Sequence, residues 1–182
     1  NADHDLRIRV CTKLIDKGSR STNELSRAYE NRCDAYFQKG DYSRAIVDCN
    51  EAVRLNLKSA DARAKRGLIY AFQGVYDRAV EDLSEAIRID PNLAHLYITR
   101  ANTYTGKGEF DLAVADLSKA IALDPKSFAA YSLRGVAYTN KGDLDRAMAD
   151  ANEALRLKPD SGAALAVRGF AHYVKGDYAQ AM

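Results

Sequence analysis

Between Phe110 and Ile121, apolar or small residues stand at Phe110, Ala113, Val114, Leu117, Ala120 and Ile121. Their steps of three and four place them on one stripe of a helix. The stripe recurs 34 residues upstream as Tyr76, Ala79, Val80, Leu83, Ala86 and Ile87. It returns 34 residues downstream as Leu144, Ala147, Met148, Ala151, Ala154 and Leu155. Frames of 34 residues beginning at Ser26, Ala60, Ala94, Phe128 and Gly162 align further positions. Position 15 is Gly40, Gly74, Gly108, Gly142 and Gly176, and position 11 is Tyr36, Tyr70, Tyr104, Tyr138 and then His172. Pro91, Pro125 and Pro159 keep the same spacing. This is internal repetition, and it predicts an array of similar units.

Each frame predicts two helices. The first runs from about position 2 to position 14 and stops at the glycine, which tolerates the left-handed C-cap. The second opens on pairs such as Asp41-Tyr42 or Asp143-Leu144, an acid there suiting the positive helix N-terminus. Asp90-Pro91, Asp124-Pro125 and Lys158-Pro159 end it. So short a connection makes each frame an antiparallel helical hairpin. Position 8 is Cys33, Gly67, Ala101, Gly135 and Gly169, and position 20 is always Ala, from Ala45 to Ala181. Small groups at both places let the two backbones approach closely. One hairpin cannot bury its own stripe, so neighbouring hairpins must stack.

These residues resemble the tetratricopeptide repeat (TPR), whose 34-residue pattern has Gly or Ala at 8, Tyr at 11, Ala at 20 and 27, and Pro at 32. Two features depart from it: the usual Trp at position 4 is Tyr29, Arg63, Tyr97, Tyr131 and Leu165, and Leu57 replaces the first Pro. The expected organisation is a capping helix and loop over 1–25, repeats over 26–59, 60–93, 94–127 and 128–161, and a partial fifth repeat over 162–182. Leu6, Val10, Leu14 and Ile15 give residues 3–17 helical spacing, and Gly18 to Glu24 read as a long loop. The resemblance implies an all-α solenoid of antiparallel helix pairs in a right-handed superhelix. The segment Val10-Cys-Thr-Lys-Leu-Ile15 is similar to the opening of certain bacterial TPR proteins, some of them exported. With no signal peptide present, the expected compartment is the bacterial cytoplasm, or the periplasm or exterior after a leader is removed. The C-terminal residues stop about one turn into a helix, so the face there is expected to meet further chain or a partner.

Composition narrows function. There are 27 Lys and Arg against 25 Asp and Glu, a net charge of +2, and no basic patch or tail. A nucleic-acid-binding helical repeat is therefore the least favoured reading. No apolar run is long enough to span a bilayer. His4, His95 and His172 are scattered in the repeat frame and read as packed or hydrogen-bonded imidazoles, so neither metal nor cofactor is expected. Cys11, Cys33 and Cys49 lack Cys-x-x-Cys spacing. They read as buried free thiols, a single disulfide being the alternative; a disulfide would imply an oxidising compartment. The Lys-Gly pairs at 39–40, 107–108, 141–142 and 175–176 are helix stops, not phosphate loops. With no triad, dyad or metal cluster, no catalytic residue is assigned, and the chain reads as not an enzyme.

One polar pattern is periodic. Position 7 is Arg32, Arg66, Arg100, Arg134 and Arg168, and position 23 is Asp48, Asp82, Asp116 and Asp150. Opposite charges recurring in step predict a structural Arg–Asp ladder, since a planar fork meets a carboxylate well when partly buried. An anion-binding stripe is the alternative.

The resemblance also implies a concave groove lined by positions 2, 5, 9, 12 and 13 of each first helix. It would hold a peptide or helical segment of another protein. The groove residues singled out are Leu68, Phe72, Asn102, Val136, Asn140, Phe170 and Tyr173. The lining runs from charged in the first repeat, through polar, to apolar in the fifth, and the asparagines can hydrogen-bond a peptide backbone. Self-assembly through the C-terminal end is the alternative function. The carboxylate clamp by which some TPR domains hold chaperone tails is not matched. Glu30 and Asp34 stand where Lys and Asn are needed, and Lys65, His95 and Thr99 do not restore it. Starting one repeat later gives Ala64, Leu68, Thr99, Ala129 and Leu133, which is no better.

Overall fold

The computed structural model describes residues 2–18 and 21–176. Among them are ten α-helices and no strands. The helices fall into two compact units, divided after Pro91. The first holds α1 (Ala2–Asp16), α2 (Thr22–Gln38), α3 (Tyr42–Leu55), α4 (Ala60–Phe72) and α5 (Tyr76–Ile89). The second holds α6 (Ala94–Lys107), α7 (Phe110–Leu123), α8 (Phe128–Asn140), α9 (Leu144–Leu157) and α10 (Gly162–Lys175). Among the described residues, no helix is long and apolar enough to cross a membrane.

Within each unit, consecutive helices pair as antiparallel hairpins. In the first hairpin Ser26 donates to the Ala52 carbonyl and Arg32 reaches Asp48, so rising numbers on α2 meet falling numbers on α3. Gly40, at φ +75°, makes the turn; this is a left-handed conformation that a side chain resists. Asp41 and Asp143 cap α3 and α9 by accepting from the backbone N–H of Arg44 and Arg146.

Small residues bring the paired helices together. A Cβ added at Gly67 would lie 2.9 Å from Leu83 Cγ and 3.1 Å from the Ala79 carbonyl oxygen. One added at Gly135 would lie 3.3 Å from the Ala147 carbonyl oxygen. Frame position 8 thus sits against the backbone of position 20. Around this contact lie continuous cores. One joins Cys33, Ala45, Cys49 and Ile69; another joins Tyr138, Ala147, Ala151, Ala154, Leu155, Ala164 and Val167, bridging successive hairpins.

The structure corrects three expectations. Helix α2 begins at Thr22, not after Glu24, so the expected loop is shorter and the helix starts ahead of the repeat frame. Cys33 and Cys49 are not free thiols: they form a disulfide between α2 and α3. Positions 8 and 24 face each other across the hairpin, and only in this hairpin are both cysteine. Cys11 remains a free, buried thiol, and burial pushes its pKa up. His95 is exposed rather than packed in a core.

Candidate functional site

The arginines at position 7 stand on the first helix of each hairpin. Arg32 donates Nε to Asp48 Oδ2 at 2.7 Å and Nη2 to Oδ1 at 2.8 Å. Arg66 meets Asp82 at 2.7 and 2.6 Å, Arg100 meets Asp116 at 2.7 and 2.7 Å, and Arg134 meets Asp150 at 2.8 and 2.8 Å. All four are two-pronged forks. The third guanidinium nitrogen reaches back to the preceding second helix: Arg32 Nη1 to Thr12, Arg66 Nη1 to Asn50, and Arg134 Nη1 to Ser118. The aspartates are buried. Hydrogen bonding to its aspartate raises the pKa of each of the four arginines, more than burial lowers it. Every fork therefore holds its charge against a buried carboxylate, with Nε and one Nη2 N–H committed to it. Each positive charge faces a carboxylate of this chain, which argues against an anion-binding stripe. Arg168 differs: among the described residues it makes no ion pair, and it lines a cavity with Met148, Asn152 and His172.

Groove residues in the first unit lie on α2 and α4. Leu68 is half-buried and Phe72 is 60% exposed. Phe72 packs edge-on against Phe37, with ring centroids 5.2 Å apart, and lies 5.9 Å from the Tyr42 ring. Tyr42 packs against the core around Cys33 and Cys49, and its closeness to Phe72, position 13 of the next repeat, makes it part of this aromatic surface. The acids of the first repeat are engaged internally. Arg7 of α1 donates to Asp34 at 2.7 Å, and Ser59 donates to Glu30 at 2.6 Å.

Groove residues in the second unit lie on α6, α8 and α10. Asn102 and Asn140 are exposed. Asn140 spends one amide N–H on the Val136 carbonyl one turn back, which leaves it less to offer a peptide than the sequence implies. Thr105 and Thr139 likewise donate to Ala101 and Gly135 of their own helices. Val136 is half-buried and packs on the core around Tyr138, so it supports the wall rather than standing proud of it. On α10, Phe170, Tyr173 and Val174 are 49%, 61% and 52% exposed. Their spacing of three and one residues places them on one face of the helix. At positions 2, 5, 9, 12 and 13 of α6, α8 and α10 there is no Asp, Glu, Lys or Arg.

Family models of tetratricopeptide repeats match residues 34–74, 60–93 and 98–162. No curated protein is similar enough to count as a relative. Among solved structures, MamA shares 26% identity over 82% of this chain and 87% of its own, with a TM-score of 0.75. The first TPR domain of Spaghetti (RPAP3), bound to the HSP90 peptide SRMEEVD, shares 28% over 64% of this chain and 93% of its own, with a TM-score of 0.62. YrrB, described as a TPR protein with an unusual peptide-binding site, shares 20% over 94% and 87%, with a TM-score of 0.74, a likeness of fold.

Proposed function

Because the chain belongs to the tetratricopeptide repeat family, we propose that it is a protein-interaction scaffold whose first helices hold a peptide or helical segment of a partner. It acts by holding rather than by chemistry. The observation that carries this reading is the uncharged, apolar face of α10, where Phe170, Tyr173 and Val174 stand together exposed. Large exposed aromatic and aliphatic groups on one helix face suit an amphipathic helix or an extended apolar segment. Phe72, backed by Phe37 and Tyr42, offers a second apolar anchor in the first unit. The solved likeness to a TPR domain holding a peptide supports the class of partner.

Apolar contacts at Leu68, Phe72, Phe170 and Tyr173 supply most of the affinity in this reading, beside a wall that Val136 supports, with the aromatic residues as anchors. The test is Phe170→Ser with Tyr173→Ser. Partners are captured from the native source, and mass in solution is read by light scattering. Loss of a specific partner supports the peptide-holding reading; a drop from oligomer to monomer supports docking of a second copy at the same face. If both readouts are unchanged while the helical circular dichroism is intact, the binding surface lies elsewhere.

A further inference from the structure

The aromatic surface of the first unit carries an inference of its own. Phe37 lies in the last turn of α2, Tyr42 opens α3 and Phe72 ends α4. Their ring centroids stand 5.2–5.9 Å apart in all three pairings. Phe37 and Tyr42 rest on the core that holds the Cys33–Cys49 disulfide, so the rings are fixed from behind. Phe72 is 60% exposed. Hairpin packing does not demand this cluster. The corresponding positions of later repeats are Ala71, Tyr76 and Gly106; Thr105, Phe110 and Asn140; and Thr139, Leu144 and Val174. Each of those sets carries one ring or none. Beside the three rings opens a hollow of about 450 Å³, lined by Lys39, Gly40, Asp41, Tyr42, Ser43 and Gln73. Its charges are spent within the chain, Lys39 on Asp5 and Asp41 on Arg44. Asp34, three residues before Phe37, is likewise paired with Arg7. Ser43 and Gln73 are exposed, and among the described residues their side chains make no hydrogen bond.

We infer that this patch takes an uncharged, proline-rich segment of a partner in the polyproline II conformation. The inference rests on the scaffold reading above and names the chemistry of one partner segment. Charge is the first ground. The ions lining the hollow already face ions of this chain, so the matching segment carries none. Shape is the second. Exposed aromatic rings offer flat faces to pyrrolidine rings, and a polyproline helix is pre-formed, so docking orders little new chain. Hydrogen bonding is the third. A polyproline II segment makes no internal hydrogen bonds, so its carbonyls are free to accept from the Ser43 hydroxyl and the Gln73 amide. Proline brings no N–H that the patch would have to satisfy. An α-helix has spent its carbonyls on its own N–H groups and gains nothing from these two donors.

The probe is fluorescein-labelled decaproline, titrated against the 182-residue chain by fluorescence anisotropy. The expected result is saturable binding that weakens at least ~10-fold with Phe72→Ser. Ser43→Ala with Gln73→Ala should weaken it at least ~3-fold, since both donors are lost. All three side chains are exposed, so circular dichroism should show the helices intact. Phe72→Tyr, which keeps the ring, should recover most of the loss seen with serine. Raising sodium chloride from ~50 to ~500 mM should change the affinity less than ~2-fold, since no charge takes part. A stapled, labelled leucine–alanine helix provides the other arm, and removing the two donors should leave its affinity unchanged. No saturation with decaproline, undiminished binding by Phe72→Ser, or no loss on removing the donors would overturn the inference. So would an equal loss of helix and decaproline in the donor variant. None of these variants touches α10, so the scaffold reading is judged separately by Phe170→Ser with Tyr173→Ser.

Discussion

Arg134 and Asp150 show what a single fork contributes. Asp150 is 6% exposed, and both its oxygens accept from one guanidinium. Removing one partner leaves a buried charge uncompensated. Asp150→Asn should therefore cost about 3 kcal/mol in urea unfolding. Arg156, whose pair with Glu153 lies in solvent, should show no measurable change on replacement by Gln. Replacing Arg134 by Met and Asp150 by Leu together should recover most of the loss, as both desolvation costs vanish with the pair. The glycines allow a second comparison. Gly67→Ala pushes a methyl to 2.9 Å from Leu83 Cγ, deep in the core. Overpacking outweighs the better helix propensity of Ala, giving a net loss of about 1 kcal/mol. At Gly135, with its nearest contact at 3.3 Å, the two effects should come close to cancelling, and the midpoints of the two variants in one denaturant series decide it.

At the scale of helices, the repeat pattern made nearly every second helix legible. Tyr42, Tyr76, Phe110 and Leu144, all at position 17, are the first residues of α3, α5, α7 and α9. Less legible was what differs between repeats. At position 24 the other frames carry Leu83, Leu117 and Ala151, so Cys49 reads there as one more small apolar residue. The disulfide becomes visible only once positions 8 and 24 are known to touch. Glu30 and Asp34 read as open groove charges because Arg7 lies outside the repeat frame and Ser59 at its end. The disulfide ties α2 to α3 across a 16-residue separation. Cys33→Ala with Cys49→Ala should lower stability by about 3 kcal/mol, the loop-closure value for a span of this size. Without reductant, the denatured chain should take up one equivalent of iodoacetamide, at Cys11. After reduction it should take up three, counted by mass spectrometry. In the native chain Cys11 should react slowly, because burial disfavours its thiolate.

For the whole chain, one prediction concerns a peptide that it should not hold. The peptide SRMEEVD, held by the Spaghetti (RPAP3) domain, ends in acids and a terminal carboxylate. Here positions 5 and 9 of the first repeat are the acids Glu30 and Asp34, where the carboxylate clamp of some TPR domains needs Lys and Asn. Titration calorimetry with that peptide should give no measurable heat; a micromolar dissociation constant would refute the reading of this surface. The uncharged face on α6, α8 and α10 points instead to an apolar segment, and a dansyl-labelled amphipathic helix should bind with little dependence on salt.

Each fork closes within its own hairpin, always 16 residues along the chain. A ribosome releasing this protein from its N-terminus delivers the arginine first and the aspartate less than half a repeat later. The ion pair that locks a hairpin is therefore available as soon as the second helix has emerged, before the next repeat is made. Synthesis and folding can advance together, one hairpin at a time.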